Sequence, residues 1–148
     1  TSTNMKTFTL TIVAIAVIII MTTLSGCKPD EPTAEELFFE KTSGSWTATM
    51  VSVDNTVLEG AFDGFAITIK TDRTYTTSNG HAPIWPASGT FTTKAVTSTA
   101  GFNFVRSDGV EVEVVELTEN DLILRFDYVS PGGRKSSVSG GYRFELIK

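Results

Sequence analysis

From Gly44 to the end of the chain, apolar and polar residues alternate with a period of two, and short clusters of turn-forming residues interrupt the pattern about every ten residues. That period limits what the chain can become more than any other feature. Successive side chains of a strand point to opposite faces, whereas a helix would need apolar residues three and four apart. Eight strands are expected, at Ser45–Val53, Phe65–Thr71, Thr74–Ser78, Ala87–Thr93, Phe102–Arg106, Val110–Leu117, Leu122–Ser130 and Tyr142–Ile147. The separators have turn chemistry: Asp72-Arg73, Asn79-Gly80, Asp108-Gly109, Glu119-Asn120-Asp121 and Pro131-Gly132-Gly133. Phe65, Ile67, Ile69, Phe102, Phe104, Val110, Val112, Val114, Leu122, Leu124, Phe126, Tyr128, Tyr142, Phe144 and Leu146 share one face. Lys70, Glu111, Glu113, Arg125, Asp127, Arg143 and Glu145 share the other. One buried and one wet face is what an antiparallel sheet permits. Many short strands at this spacing predict an all-β fold, a sandwich or a barrel, with a short N-terminal helix, as one domain over residues 34–148.

The chain ahead of this domain reads differently. Lys6 precedes an apolar run, Leu10–Met21, and then Leu24-Ser25-Gly26-Cys27. The run has 12 residues, and a helix crossing the hydrocarbon core needs about 20. A positive start followed by a short apolar stretch is a secretory signal, so residues 1–26 are expected to be removed. Thr1–Asn4 lie upstream of what reads as the natural start at Met5. Small residues directly before a cysteine resemble the bacterial lipobox, which implies diacylglycerol and a further acyl group on Cys27. Two or three chains satisfy the two-signal requirement for stable anchoring. Residues 27–33 then form a polar, proline-bearing tether. Ala34–Thr42 is expected to be helical, with Thr33 as N-cap and Glu36 three residues on completing a capping box.

Cys27 is the only cysteine, so after acylation no thiol is left for a disulfide, a metal or a nucleophile. From Cys27 onward the chain has 11 Lys+Arg (12 less Lys6) against 17 Asp+Glu, a net charge of −6. An acidic domain argues against nucleic acid and against electrostatic adhesion to anionic lipid. The expected membrane contact is therefore through the lipid. Lys28 follows the cysteine where an aspartate would favour inner-membrane retention, which points to the outer membrane. Asp30 and Glu31 resemble a surface-export signal, so the periplasmic face and the cell surface both stay open.

A short helix followed by Gly44-Ser45-Trp46 at the head of the first strand, and then eight strands in sequence, resembles the lipocalin superfamily. Its G-x-W motif marks the closed end of the barrel. The stretches Ser43–Val51, Thr71–Thr77, Trp85–Phe91 and Gly140–Leu146 make the chain similar to the small lipocalin-like lipoproteins of Bacteroidetes. The resemblance implies a small eight-stranded up-and-down antiparallel barrel with a short N-terminal helix, Gly44 and Trp46 at its closed end, and an arginine from near the last strand packed across the tryptophan by a cation–π contact. Arg143 is the nearest candidate, although the alternation places it on the wet face.

No catalytic constellation stands out. G-x-S-x-G, phosphate-loop and EF-hand patterns are missing from the sequence, and the expectation is a protein that is not an enzyme and uses no cofactor. His81 is the only histidine, too few for a transition-metal site without thiols, and reads as a solvated loop residue. Glu111 and Glu113 share a face and could seat a cation, but a charged outer face explains them better. His81, Ile84 and Trp85 are the candidates for ligand or partner contact. Trp85 can be a rim anchor or a wedge under the barrel wall, with Gly89 permitting the close approach. Three functions are consistent with this. The first is a lipid-anchored accessory protein whose working surface docks on a cell-envelope assembly, the second a carrier of a small apolar ligand, and the third an inhibitor of a peptidase or lysozyme. The abundance of aromatics favours a filled lumen, with Phe65, Phe104, Phe126 and Phe144 expected in mutual contact and the loops His81–Pro86 and Ser130–Lys135 offered to a partner.

Overall fold

A computed structural model describes residues 30–130 and 138–148. The lipobox, the signal segment and Pro131-Gly132-Gly133 lie outside the described residues. Helix α1 (Ala34–Thr42) has the expected capping box: the Glu36 amide donates to the Thr33 hydroxyl, and the Thr33 amide donates to the Glu36 carboxylate at 2.7 Å. These bonds satisfy donors that the first helical turn leaves free, and the Thr33 amide and hydroxyl, both donating to the Glu36 carboxylate, hold that carboxyl below its ordinary pKa.

The strands are β1 (Gly44–Val53), β2 (Thr56–Val57), β3 (Ala66–Ile69), β4 (Thr74–Ser78), β5 (Ser88–Ala95), β6 (Phe102–Arg106), β7 (Glu111–Leu117), β8 (Asp121–Tyr128) and β9 (Gly140–Ile147). β1 pairs antiparallel with β2 and with β3, and from β3 onward each strand pairs antiparallel with the next. The β1–β9 pairing closes the sheet, so β1 and β3–β9 form an eight-stranded barrel, and β2 is a two-residue spur on β1. β2 escapes the alternation pattern because both its residues are exposed.

Two bulges shift the period where the wall bends. In β1 the inward set moves from Trp46 and Ala48 to Val51 and Val53 across a break between Ala48 and Met50. The Thr49 hydroxyl donates there to the Glu145 carbonyl at 3.1 Å. In β7 the break falls between Val114 and Glu116, leaving Val115 exposed. Among the seams of the barrel wall, β6–β7 has the fewest residues in register, Phe104↔Val112 and Val105↔Glu111. Asn103 supplements it from the outer face, taking a hydrogen bond from the Val114 amide and giving one to Glu111.

Aromatic rings occupy the lumen in two groups. Near α1, Phe104 lies 5.0 Å from Phe38 and stacks on Phe91 at 4.4 Å. Toward the other end, Phe144 sits 4.9 Å from Phe65 and 5.9 Å from Phe126. Phe104 is therefore not in direct contact with the other three residues of the expected quartet. Trp85 lies between the groups, 6.5 Å from Phe91 and 5.3 Å from Phe126. The expected inward residues Ile67, Val112, Leu122 and Leu124 are fully buried, while Phe102 and Val110 at the strand ends are only partly so.

Candidate functional site

The two ends of the barrel place the candidate residues. At the α1 end, Phe38, Phe39 and Thr42 turn inward, and Leu37, on the opposite side of the helix, is 41% exposed. Trp46 is completely buried, and its indole N–H donates to the Thr42 carbonyl at 2.7 Å. This satisfies a carbonyl of the last helical turn, which has no intrahelical partner. Gly44 has φ 129°, a conformation that favours glycine, and a Cβ there would meet the Lys148 side chain at 3.0 Å.

Lys148, not Arg143, supplies the cation over Trp46: its ammonium lies 4.5 Å from the ring. The register explains the correction. Arg143 is opposite Ser52, whereas Thr47, beside Trp46, is opposite Ile147. Ser52 lies six residue steps along β1 from Trp46, about 20 Å of strand. Arg143 stays on the outer wall and pairs with Glu145 at 3.0 Å.

At the other end, the loop between β4 and β5 folds inward. Asn79 and His81 adopt left-handed backbone (φ 53° and 50°), and the Trp85 amide donates to the Gly80 carbonyl. Ile84 and Trp85 are thereby buried, 4% and 1% exposed, so neither is a surface contact as the sequence had allowed. The wedge alternative describes Trp85. The glycine that admits it is Gly80, where a Cβ would come within 2.6 Å of the Trp85 carbonyl; Gly89 instead makes room for the Tyr75 ring. His81 remains exposed and packs edge-on against Phe62, with ring centres 5.1 Å apart.

Arg106 completes this seal, and sequence reasoning missed its role. The signal was present, because Phe102, Phe104 and Arg106 alternate and all point inward. Its guanidinium is fully buried, 5.0 Å from the Trp85 ring and 5.5 Å from that of Phe126. It donates to the Ile84 carbonyl at 2.5 Å and forks onto both carboxylate oxygens of Asp108. Burial raises the Asp108 pKa, but the hydrogen bonds from Arg106 and the Val110 amide outweigh it and hold the carboxyl below its ordinary range. Among the described residues, the Trp85 indole N–H is buried with no acceptor, a loss of about 1–3 kcal/mol for a group of this kind.

Outside the lumen, a groove of about 860 Å³ runs across the outer faces of β6–β9 and β1. Asp54, Asp108, Glu111, Glu113 and Asp127 line it together with Arg125 and Arg143. Glu113 is paired with Arg125 at 2.6 Å, and Glu111 with Lys94 at 2.7 Å. The Lys94 and Asn103 hydrogen bonds hold the Glu111 carboxyl below its ordinary pKa. Glu111 and Glu113 thus serve cations of their own sheet. Among the described residues, no three His, Cys, Asp or Glu side chains gather around a common point that would suit a metal.

No protein-family model, no curated protein and no solved structure matches the chain.

Proposed function

We propose that this chain is an outer-membrane lipoprotein, anchored through acylated Cys27, whose barrel is a solid, non-catalytic interaction module of a cell-envelope assembly. The observation that carries the reading is the filled lumen. Trp85, Phe91, Phe104 and Phe144 occupy the volume in which a carrier would hold its ligand, and an eight-stranded barrel is only just wide enough for its own side chains or one small guest. Both ends are closed as well, by α1 and by the β4–β5 loop. What is left for recognition is the outer wall, with its wide groove and its excess of carboxylates over guanidinium groups. The inward fold of the β4–β5 loop also weighs against an inhibitor that projects this loop into an active site. The likeness to the small lipocalin-like lipoproteins rests on Gly44, Trp46 and the strand order.

The test is photo-crosslinking in native membranes from a crosslinker placed at Asn55 or Asp127 on the groove. A single envelope protein captured from both positions is the expected result. An apolar small molecule travelling with the intact protein in native mass spectrometry, with no protein captured, would favour the carrier instead.

A further inference from the structure

A second, smaller groove of about 270 Å³ lies beside α1 at the closed end. Ala34, Leu37 and Phe38 form one lip, and Ala100, Phe102 and Leu117 the other, with Lys41 at the edge. The β6–β7 ladder beside it has only two register pairs. Phe102 begins β6 and Leu117 ends β7, and neither has a partner in that ladder. We infer that this closed end rests on the surface of the lipid bilayer, with the groove as its apolar contact. The inference depends on the Cys27 anchor proposed above.

The chain that joins anchor to helix argues for that occupant. Seven Cα steps separate Cys27 from Ala34, at most about 24 Å when fully stretched and about 15 Å as a root-mean-square coil length. Strands of eight residues tilted by about 40° give a barrel roughly 20 Å tall, and the loops add to this. Turning the other rim to the membrane would need the tether drawn taut along the whole wall. The α1 end is reached with the tether slack. Leu37 is the large apolar residue that α1 leaves exposed, and it lies one turn from the point where the tether joins. A net charge of −6 from Cys27 onward gives anionic headgroups no role, so the contact is apolar and made with zwitterionic lipid.

The full lipidated protein, reconstituted in phosphatidylcholine vesicles, tests this. The Cys27 sulfur is alkylated in the anchored chain, so Leu37→Cys and Thr99→Cys each introduce one free thiol for a fluorescent label, on opposite lips of the groove. Val57→Cys supplies a label at the far end. Lipids carrying a quencher at the upper acyl chain should quench the labels at 37 and 99 at least threefold more than the label at 57. Equal quenching at all three sites, with the protein still sedimenting with the vesicles, overturns the inference while the anchor stands. Failure to sediment overturns the anchor, and the inference with it. Shielding of residue 37 that grows with protein density but shows no lipid quenching makes a second copy the occupant and also overturns the inference.

Discussion

The two ends of this barrel are sealed by opposite means. At the closed end the plug is local and mainly apolar: α1 leads directly into β1, and Trp46 bonds back to Thr42, four residues earlier. At the far end the plug comes from a separate loop, and a charged group fixes it, since Arg106 reaches Ile84 across 22 residues and is neutralised by Asp108. Each end has a buried tryptophan, yet one indole N–H has an acceptor and the other has none among the described residues. Apolar packing tolerates changes of pH, whereas an ion pair whose carboxylate titrates responds to them. The same task therefore leaves the two ends with different sensitivities.

The largest expected effects come from the tryptophans. Trp46→Ala and Trp85→Ala should each cost about 3–5 kcal/mol, measured as a shift in urea midpoint followed by circular dichroism. The phenylalanine variants sharpen the comparison. Trp46→Phe leaves the Thr42 carbonyl without its donor, while Trp85→Phe removes a donor that has no partner. Trp46→Phe should therefore be the costlier by about 1–3 kcal/mol. Equal losses for the two would mean that the indole bond at the closed end contributes nothing.

Next in size is the ion pair. Asp108→Asn should cost about 1–3 kcal/mol at neutral pH, below the full penalty for an unpaired buried charge because Asp108 itself is 41% exposed. Its folded pKa is depressed, so the folded state binds this proton less readily than the unfolded chain. The contribution is then complete above the ordinary aspartate pKa of about 3.9, and it fades as pH falls through the lower folded value. The gap between parent and Asp108→Asn should narrow across that window. A gap that stays constant down to pH 2 would show that Asp108 does not titrate with the seal. Equivalent acid titrations of Trp46→Phe against the parent should run parallel.

Smaller effects test the margins of the closed end. Thr33→Ala removes the helix cap and should cost about 1 kcal/mol, with loss of amide protection confined to the first turn of α1 in hydrogen exchange. Lys148→Met should cost about 0.5 kcal/mol through the lost cation–π contact. Arg143→Ala, on the outer wall, should change stability by less than that. If Arg143→Ala proved the more damaging, the assignment of the Trp46 cation would be reversed.

These contrasts also mark how far the sequence could be read. The α1 boundaries and cap were legible because helix capping is a local matter of side chains three residues apart. The strands were legible wherever alternation was strict, as in β8, where Leu122, Leu124, Phe126 and Tyr128 are all buried. The same alternation carried Arg106 inward after Phe102 and Phe104, but the type of the residue masked its position, because an arginine is seldom buried unless paired. Gly80 and Gly89 show the limit from the other side. Both are glycines near Trp85 in sequence, and only the path of the loop decides which of them the indole approaches.

By itself, then, the sequence determined the all-β class, the eight strands of the wall, the capped helix and the inward apolar set, since each follows from periodicity or from neighbours a few residues apart. The tertiary structure decided which cation covers Trp46, which residue neutralises and which loop covers Arg106, and whether Trp85 faces solvent or the core. Each of those outcomes depends on cross-strand register and on the route of a loop. A shift of a few residues moves a side chain by many ångströms along the wall without changing the pattern of the sequence.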